Sequence, residues 1–203
     1  MGKVFLDITT SLDGFVAGPN DGLELPLGAG GERLHEWATR LASWRAPHGL
    51  EGGETNSSSE ILEEAVQASG AIVLGKRMFD NAQGWGENPP FHKPVFVLTH
   101  KAREPLAKDG GTTFTFVTDG VESAVEQARA AASGKDVGIG GGASVAQQCL
   151  RAGLLDELQI HVAPLLLGGG LRLFEDVGEL IELEPTRVVE SPGVTHLRYR
   201  VVR

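Results

Sequence analysis

The stretch VGIGGGASVAQQCLRAGLLDEL, Val137 to Leu158, decides how the rest of the chain is read. A short apolar run ends in three glycines, and a helix-like pattern follows them. Glycine lets the main chain come close to a ligand. The helix start offers unpaired N–H groups and a partial positive charge. A pyrophosphate is the natural guest of such a turn. The dinucleotide fingerprint fits only formally, as Gly138-x-Gly140-x-x-Ala143. Gly138 would lie inside the strand, and Asp156 and Glu157 open the next strand instead of closing it, so a Rossmann domain is not expected. On this motif alone, a phosphate cradle and a tight packing turn remain equally open.

Working outward, the same strand–turn–helix grammar recurs. AIVLG (71–75) leads into KRMFDNA (76–82), PVFVLT (94–99) is a further apolar strand, and TFTFVT (113–118) precedes VESAVEQARAAA (121–132). Apolar strands alternating with helices predict a mostly parallel sheet covered on both faces. KVFLDITT (3–10) reads as another strand, with Val4, Leu6 and Ile8 on one face. It breaks at SLDGFVAGPNDG (11–22), which is dense in turn formers. ERLHEWATRLASW (32–44) places Leu34, Trp37, Leu41 and Trp44 at helical spacing, which predicts one amphipathic helix and core packing for both tryptophans. Ser57-x-x-Glu60 is a capping-box pattern ahead of ILEEAVQA. The ending differs: DELQIHVAPLLLG is a strand, and two further runs flank Pro192-Gly193 as an antiparallel hairpin. The length of 203 residues fits one domain, 1–203.

Two other strand ends carry ligand-like chemistry. Gly75-Lys76-Arg77 opens a helix with two cations, which is unfavourable at that terminus without an anion nearby. Thr99-His100-Lys101 follows another strand. Ligands of open α/β sheets lie beyond the carboxyl ends of the strands. The three ends together favour a ligand with several phosphates.

At these residues the chain resembles the dihydrofolate-reductase-like family, in the group related to the C-terminal reductase domain of bifunctional riboflavin-biosynthesis deaminase/reductase proteins. SLDGFVAG, LGKRMFD, VLTHK and IGGGASV carry the resemblance, and GLLDELQIHVAPLLLGGGLRLF is its most specific piece. The resemblance implies a three-layer α/β fold, NADPH, hydride transfer and a homodimer. It implies that Thr9, Val16, Ala17 and Gly18 lie beside the nicotinamide, and that Gly75, Lys76 and Arg77 lie under the phosphates. Thr99 and Lys101 would meet the adenosine ribose and its phosphate. Gly140, Gly141, Gly142, Ala143, Ser144 and Val145 would meet the pyrophosphate, with a cis peptide at Gly140-Gly141. The chain departs from the riboflavin-pathway reductases at two points. Ile139 or Gly140 stands where they carry a glutamate, and Met78 stands where they carry a threonine. Folate reductases hold a pterin with a carboxylate on the first helix. The candidates here are Glu32 and Glu36, with His35 between them, and a solvated helix face accounts for both as well.

The remaining features exclude other classes. A net charge of -9 is unsuited to non-specific nucleic-acid binding. Cys149 is the sole cysteine, so no intrachain disulfide forms, and an inert buried thiol is expected. No histidine pair has metal-ligand spacing, and no metal is expected. His161 and Gln159 share a strand face expected to point outward. Asp13, before Gly14, reads as a turn former, and the Gly168-Gly169-Gly170 run as a place where the backbone passes close to a neighbour. No signal-peptide or membrane-length apolar run is present, which predicts a cytoplasmic protein with no membrane partner. The leading expectation is an NADPH-dependent reductase of a small heterocyclic (pterin- or pyrimidine-like) or carbonyl substrate. The rivals are the 5-amino-6-(5-phosphoribosylamino)uracil reductase step of riboflavin biosynthesis and a non-catalytic nucleotide-binding dimer.

Overall fold

The computed structural model describes residues 2–175 and 177–202. Its elements, in chain order, begin with β1 (Val4–Ser11), β2 (Phe15–Ala17), a 3-10 turn (Gly31–His35), α1 (Glu36–Thr39) and α2 (Ala42–Arg45). They continue with α3 (Ser57–Ala68), β3 (Ser69–Gly75), α4 (Lys76–Asn81), β4 (Pro94–Leu98), β5 (Leu106–Ala107), β6 (Thr113–Val117) and α5 (Val121–Ala131). The remainder is β7 (Asp136–Gly141), α6 (Ala143–Arg151), β8 (Glu157–Ala163), β9 (Leu171–Arg172), β10 (Leu183–Ser191) and β11 (Val194–Val201).

Nine strands form one sheet in the order β10-β11-β8-β1-β7-β3-β4-β6-β5. The six strands from β8 to β6 run parallel, and β11, β10 and β5 join through antiparallel pairings. This is the expected mixed, mostly parallel sheet of a dihydrofolate-reductase-like three-layer fold, ending in the expected hairpin. In β10 the register shifts between Pro185 and Arg187. Proline cannot donate to a ladder, and an edge strand tolerates that loss. The short β2–β9 pair and β5 carry too few residues for a periodic signal.

Each face of the sheet buries a core. On one face, Val121, Ala124, Val125 and Ala128 of α5 and Ala146, Cys149 and Leu150 of α6 cover Val4, Leu6, Val73, Val137 and Ile139. Each fully buried Val, Leu or Ile contributes roughly 1.5–3 kcal/mol. On the other face, Phe79 of α4 packs edge-on against Phe114 at 5.0 Å, above Leu74, Val95 and Val97. Trp37, Leu41 and Val194 form a smaller cluster beside α3.

Two local expectations are corrected. The stretch 32–44 is not one helix. Leu41 is extended (φ -76°, ψ 137°), so the helix stops and restarts. The cause is a competing partner: Glu54 N–H donates to the Arg40 carbonyl (2.7 Å), and Ala42 N–H donates to the Glu54 carbonyl (2.9 Å). The apolar stripe survives the break, with Leu34, Trp37 and Leu41 buried. The capping box of α3 starts one residue earlier than Ser57. Asn56 accepts from Ser58 N–H, and Ser59 Oγ accepts from Asn56 N–H.

Candidate functional site

A cleft of about 730 Å³ runs along the carboxyl ends of the parallel strands β1, β7, β3, β4 and β6. Its centre is the turn between β7 and α6. Gly141 sits there with φ +118°, a region that only glycine adopts freely. The cis peptide joins Gly141 and Gly142, one residue beyond the expected Gly140-Gly141 bond. Gly142 precedes α6 in extended conformation and supplies no side-chain cap, so the first amides of this nine-residue helix have no intrahelical partners. A Cβ added to Gly142 would meet nothing within 4 Å, so the turn faces open space. Gly140, Gly141, Gly142, Ala143, Ser144 and Val145 all line the cleft there.

Toward the β6 end, the cleft is lined by Gly75, Lys76 and Arg77, then by Thr99, His100, Lys101 and Thr118. Thr99 is buried, and its Oγ1 accepts from Lys101 N–H at 3.1 Å. The two α4 cations already have anions: Lys76 pairs with Asp80, and Arg77 with Asp21. Asp80 lies one turn on within the same KRMFDNA motif, whereas Asp21 comes from far along the chain. Asp21 belongs to the segment after β2, of which Asp21, Pro26 and Leu27 line the cleft. Asn81 Nδ2 holds it by donating to Asp21 Oδ2 (3.2 Å) and the Pro26 carbonyl (3.3 Å).

At the β1 end stand Ile8, Thr9, Val16, Ala17, Leu27 and His35. Gly18 does not line the cleft. It packs against the segment after β2, with its N–H donating to the Leu27 carbonyl at 2.8 Å. Gly170 passes against the same place: a Cβ there would sit 2.1 Å from the Ala17 carbonyl oxygen. Asp13 ties this corner together as a turn former. It accepts from Ser11 Oγ (2.5 Å), Leu167 N–H (3.1 Å) and Gly168 N–H (2.8 Å), and the Ser11 bond foremost holds its carboxyl below the ordinary range.

The first helical segment turns its residues differently from expectation. Glu32 and Glu36 are exposed and do not line the cleft, and Glu36 faces Arg33 and Arg40 at 3.6 and 4.0 Å. His35, between them, does line it. Its Nδ1 is buried without a hydrogen-bond partner in the protein. Burial, with His161 nearby, pushes its pKa down to about 4, so the ring is neutral at pH 7. The sequence signal for His35 was its position between the two glutamates; it closes the 3-10 turn Gly31–His35 instead of lying within one continuous helix.

His161 and Gln159 are also corrected: both are buried, 3% and 4% exposed. His161 lies under Trp37, with ring centroids 4.9 Å apart, and bonds to Asp7 and His196. Cys149 is wholly buried, which pushes its thiol up to about 12. Among the described residues, no group of His, Cys, Asp and Glu is arranged to hold a metal ion. No helix among them is long and apolar enough to cross a membrane.

The donor set fits a dinucleotide. Bare main chain and a helix start lie at the centre, cations and hydroxyls at one end, and apolar walls at the other. The sequence pattern of the RibD C-terminal domain matches residues 2–197. The uncharacterized protein YyaP of Bacillus subtilis is 25% identical over 209 residues, covering 97% of this chain and 94% of YyaP. A Shewanella protein provisionally assigned to riboflavin biosynthesis superposes with a TM-score of 0.72 at 21% identity, over 99% of both chains. The riboflavin biosynthesis reductase Rib7 of Saccharomyces cerevisiae superposes with a TM-score of 0.59 at 13% identity, over 99% of this chain and 90% of Rib7. A bifunctional deaminase/reductase from Thermotoga maritima gives 0.58 at 17% identity, over 99% of this chain and 57% of that one.

Proposed function

The chain belongs to the RibD C-terminal domain family, and on that premise we propose that it is an NADPH-dependent reductase of a small heterocyclic or carbonyl substrate. One observation carries this reading: a single cleft joins the glycine turn before α6, the cationic β3 and β4 ends, and an apolar pocket at β1. The amides of Ala143 and Ser144 would hold the pyrophosphate, using the free groups and dipole of the helix start. Lys76, Arg77 and Lys101 would neutralise phosphate charge, and Thr99 would position the ribose. Thr9, Val16 and Ala17 would form the wall against the nicotinamide. When bound, the cofactor supplies the hydride from C4 of that ring. The protein's part is to align the acceptor with that carbon and to keep water out, which the apolar side chains of Ile8, Val16, Leu27 and Met78 would do. A fluorescence titration with NADPH and NADH, repeated on Lys76→Ala/Arg77→Ala, tests the reading. Tighter NADPH binding that weakens in the double variant supports it, and no binding of either nucleotide contradicts it.

A further inference from the structure

Behind the cleft, a polar tie joins α6 to the wall at the β1 end. Gln147 lies on α6, one turn beyond Ala143, and is not among the residues that line the cleft. Its Nε2 donates to the carbonyls of Arg172 (3.2 Å) and Leu173 (3.1 Å). These carbonyls belong to the end of β9 and the residue after it. β9 pairs with β2, Arg172 opposite Phe15 and Leu171 opposite Ala17. Val16, Ala17 and Leu171 line the cleft. One side-chain amide therefore connects the helix that starts at the glycine turn with the backbone of that wall.

The wall is too small to hold its own place. β2 has three residues and β9 two, and a lone two-stranded ribbon is marginal in water. The Arg172 guanidinium lies 4.5 Å over the Phe15 ring, and Leu173 N–H donates to the Gly14 carbonyl at 3.0 Å. These contacts join β2 and β9 to each other. The Gln147 bonds join the pair to α6. Both acceptors are main-chain carbonyls, so the tie fixes the backbone itself.

We infer that Gln147 is a positioning residue for the nicotinamide: it holds the β2–β9 wall in register with the start of α6, so that one dinucleotide meets both. This rests on the reductase reading above, which puts the pyrophosphate on α6 and the nicotinamide against β2. Groups that touch a ligand keep their geometry when the residues behind them are locked by hydrogen bonds. Releasing this tie leaves the cradle at Gly142 to Ser144 in place and lets the wall drift, so the nicotinamide alone loses its alignment.

The test compares NADPH with 2′-phospho-ADP, which carries the adenosine, its phosphate and a diphosphate but no nicotinamide. Both affinities are measured on the parent, Gln147→Met and Gln147→Glu, with amide hydrogen exchange followed on the same samples. Methionine keeps the length and loses the donor. Glutamate keeps the shape and sets a carboxylate against two carbonyls. NADPH affinity should fall roughly threefold to tenfold in Gln147→Met, the worth of one neutral hydrogen bond, and at least as far in Gln147→Glu. Affinity for 2′-phospho-ADP should stay at the parent value in both. Amides of β2 and β9 should exchange faster in the variants, while those inside α6 keep their protection. Three results would overturn the assignment: parent-like NADPH affinity in either variant, an equal loss for both ligands, or unchanged exchange at β2 and β9. Failure of both ligands to bind the unaltered protein would instead remove the reductase reading, and the inference with it.

Discussion

His161 and His196 face each other across β8 and β11 with their Nδ1 atoms 2.6 Å apart. One of these nitrogens carries a proton and the other accepts it. Asp7 Oδ1 lies 3.0 Å from His161 Nε2, so that nitrogen donates to the carboxylate and His161 Nδ1 is the acceptor. His196 therefore donates through Nδ1, and its Nε2 accepts from Ser58 Oγ at 2.9 Å. Ser191 Oγ, 2.7 Å from Ser58 Oγ, extends the chain to Ser57 at 2.9 Å. One proton sits on each imidazole, and a second on His196 would leave Ser58 facing a donor.

Stability should therefore depend on pH in a definite window. Burial first, and His161 second, push His196 from 6.5 down to about 4. Its folded value lies below its unfolded one, so the unfolded chain takes up the proton first as pH falls. The contribution is complete above about pH 6.5 and is lost between 6.5 and about 4. His35 adds to the same window. The loss from His196 is on the order of 2–3 kcal/mol. Urea melts of the protein and of His196→Asn across this range check it: the variant should start less stable and show a shallower slope, and parallel slopes would refute the tautomer assignment.

The Asp21–Arg77 pair sets a second expectation. A bound phosphate competes with Asp21 for the guanidinium. Asp21→Asn removes that competitor and should tighten NADPH binding by roughly 3–10-fold at low salt, with the gain shrinking as salt screens it. A titration series in sodium chloride reads both effects.

Gly142→Val isolates the cradle from the fold. Gly142 has φ -75°, which other residues adopt, and open space where a Cβ would go. The variant should melt near the parent temperature yet lose NADPH affinity at least tenfold. Gly141→Val is a poorer probe, because φ +118° and Met78 Sδ at 3.3 Å would strain it regardless of ligand.

Cys149 should resist thiol reagents. With no exposed surface and a thiol pushed up to about 12, it offers almost no thiolate at neutral pH. Its reaction with a disulfide reagent should be slow in buffer and fast in urea.

The parts legible in the sequence were those with a local cause. Apolar runs punctuated by turn formers located the parallel strands, and the glycines after Ile139 marked where main chain would be bare. What was hidden depended on contacts far along the chain. An apolar stripe from Leu34 to Trp44 looks the same whether the helix is continuous or cut, and the cut comes from Glu54. Strand alternation puts Gln159 and His161 on one face, but it does not say that Trp37 covers it. Glu32 and Glu36 could be told from His35 only once the 3-10 turn Gly31–His35 and the short helix after it were in place.

The central claim is that the cofactor lies on the carboxyl edge of the sheet with its pyrophosphate against the start of α6. An amide NMR titration with NADPH tests it most directly. The largest shifts should fall on Gly141, Gly142, Ala143 and Ser144, with further shifts at Lys76, Thr99 and Thr9. Saturable binding that leaves residues 141–144 unmoved would contradict the account.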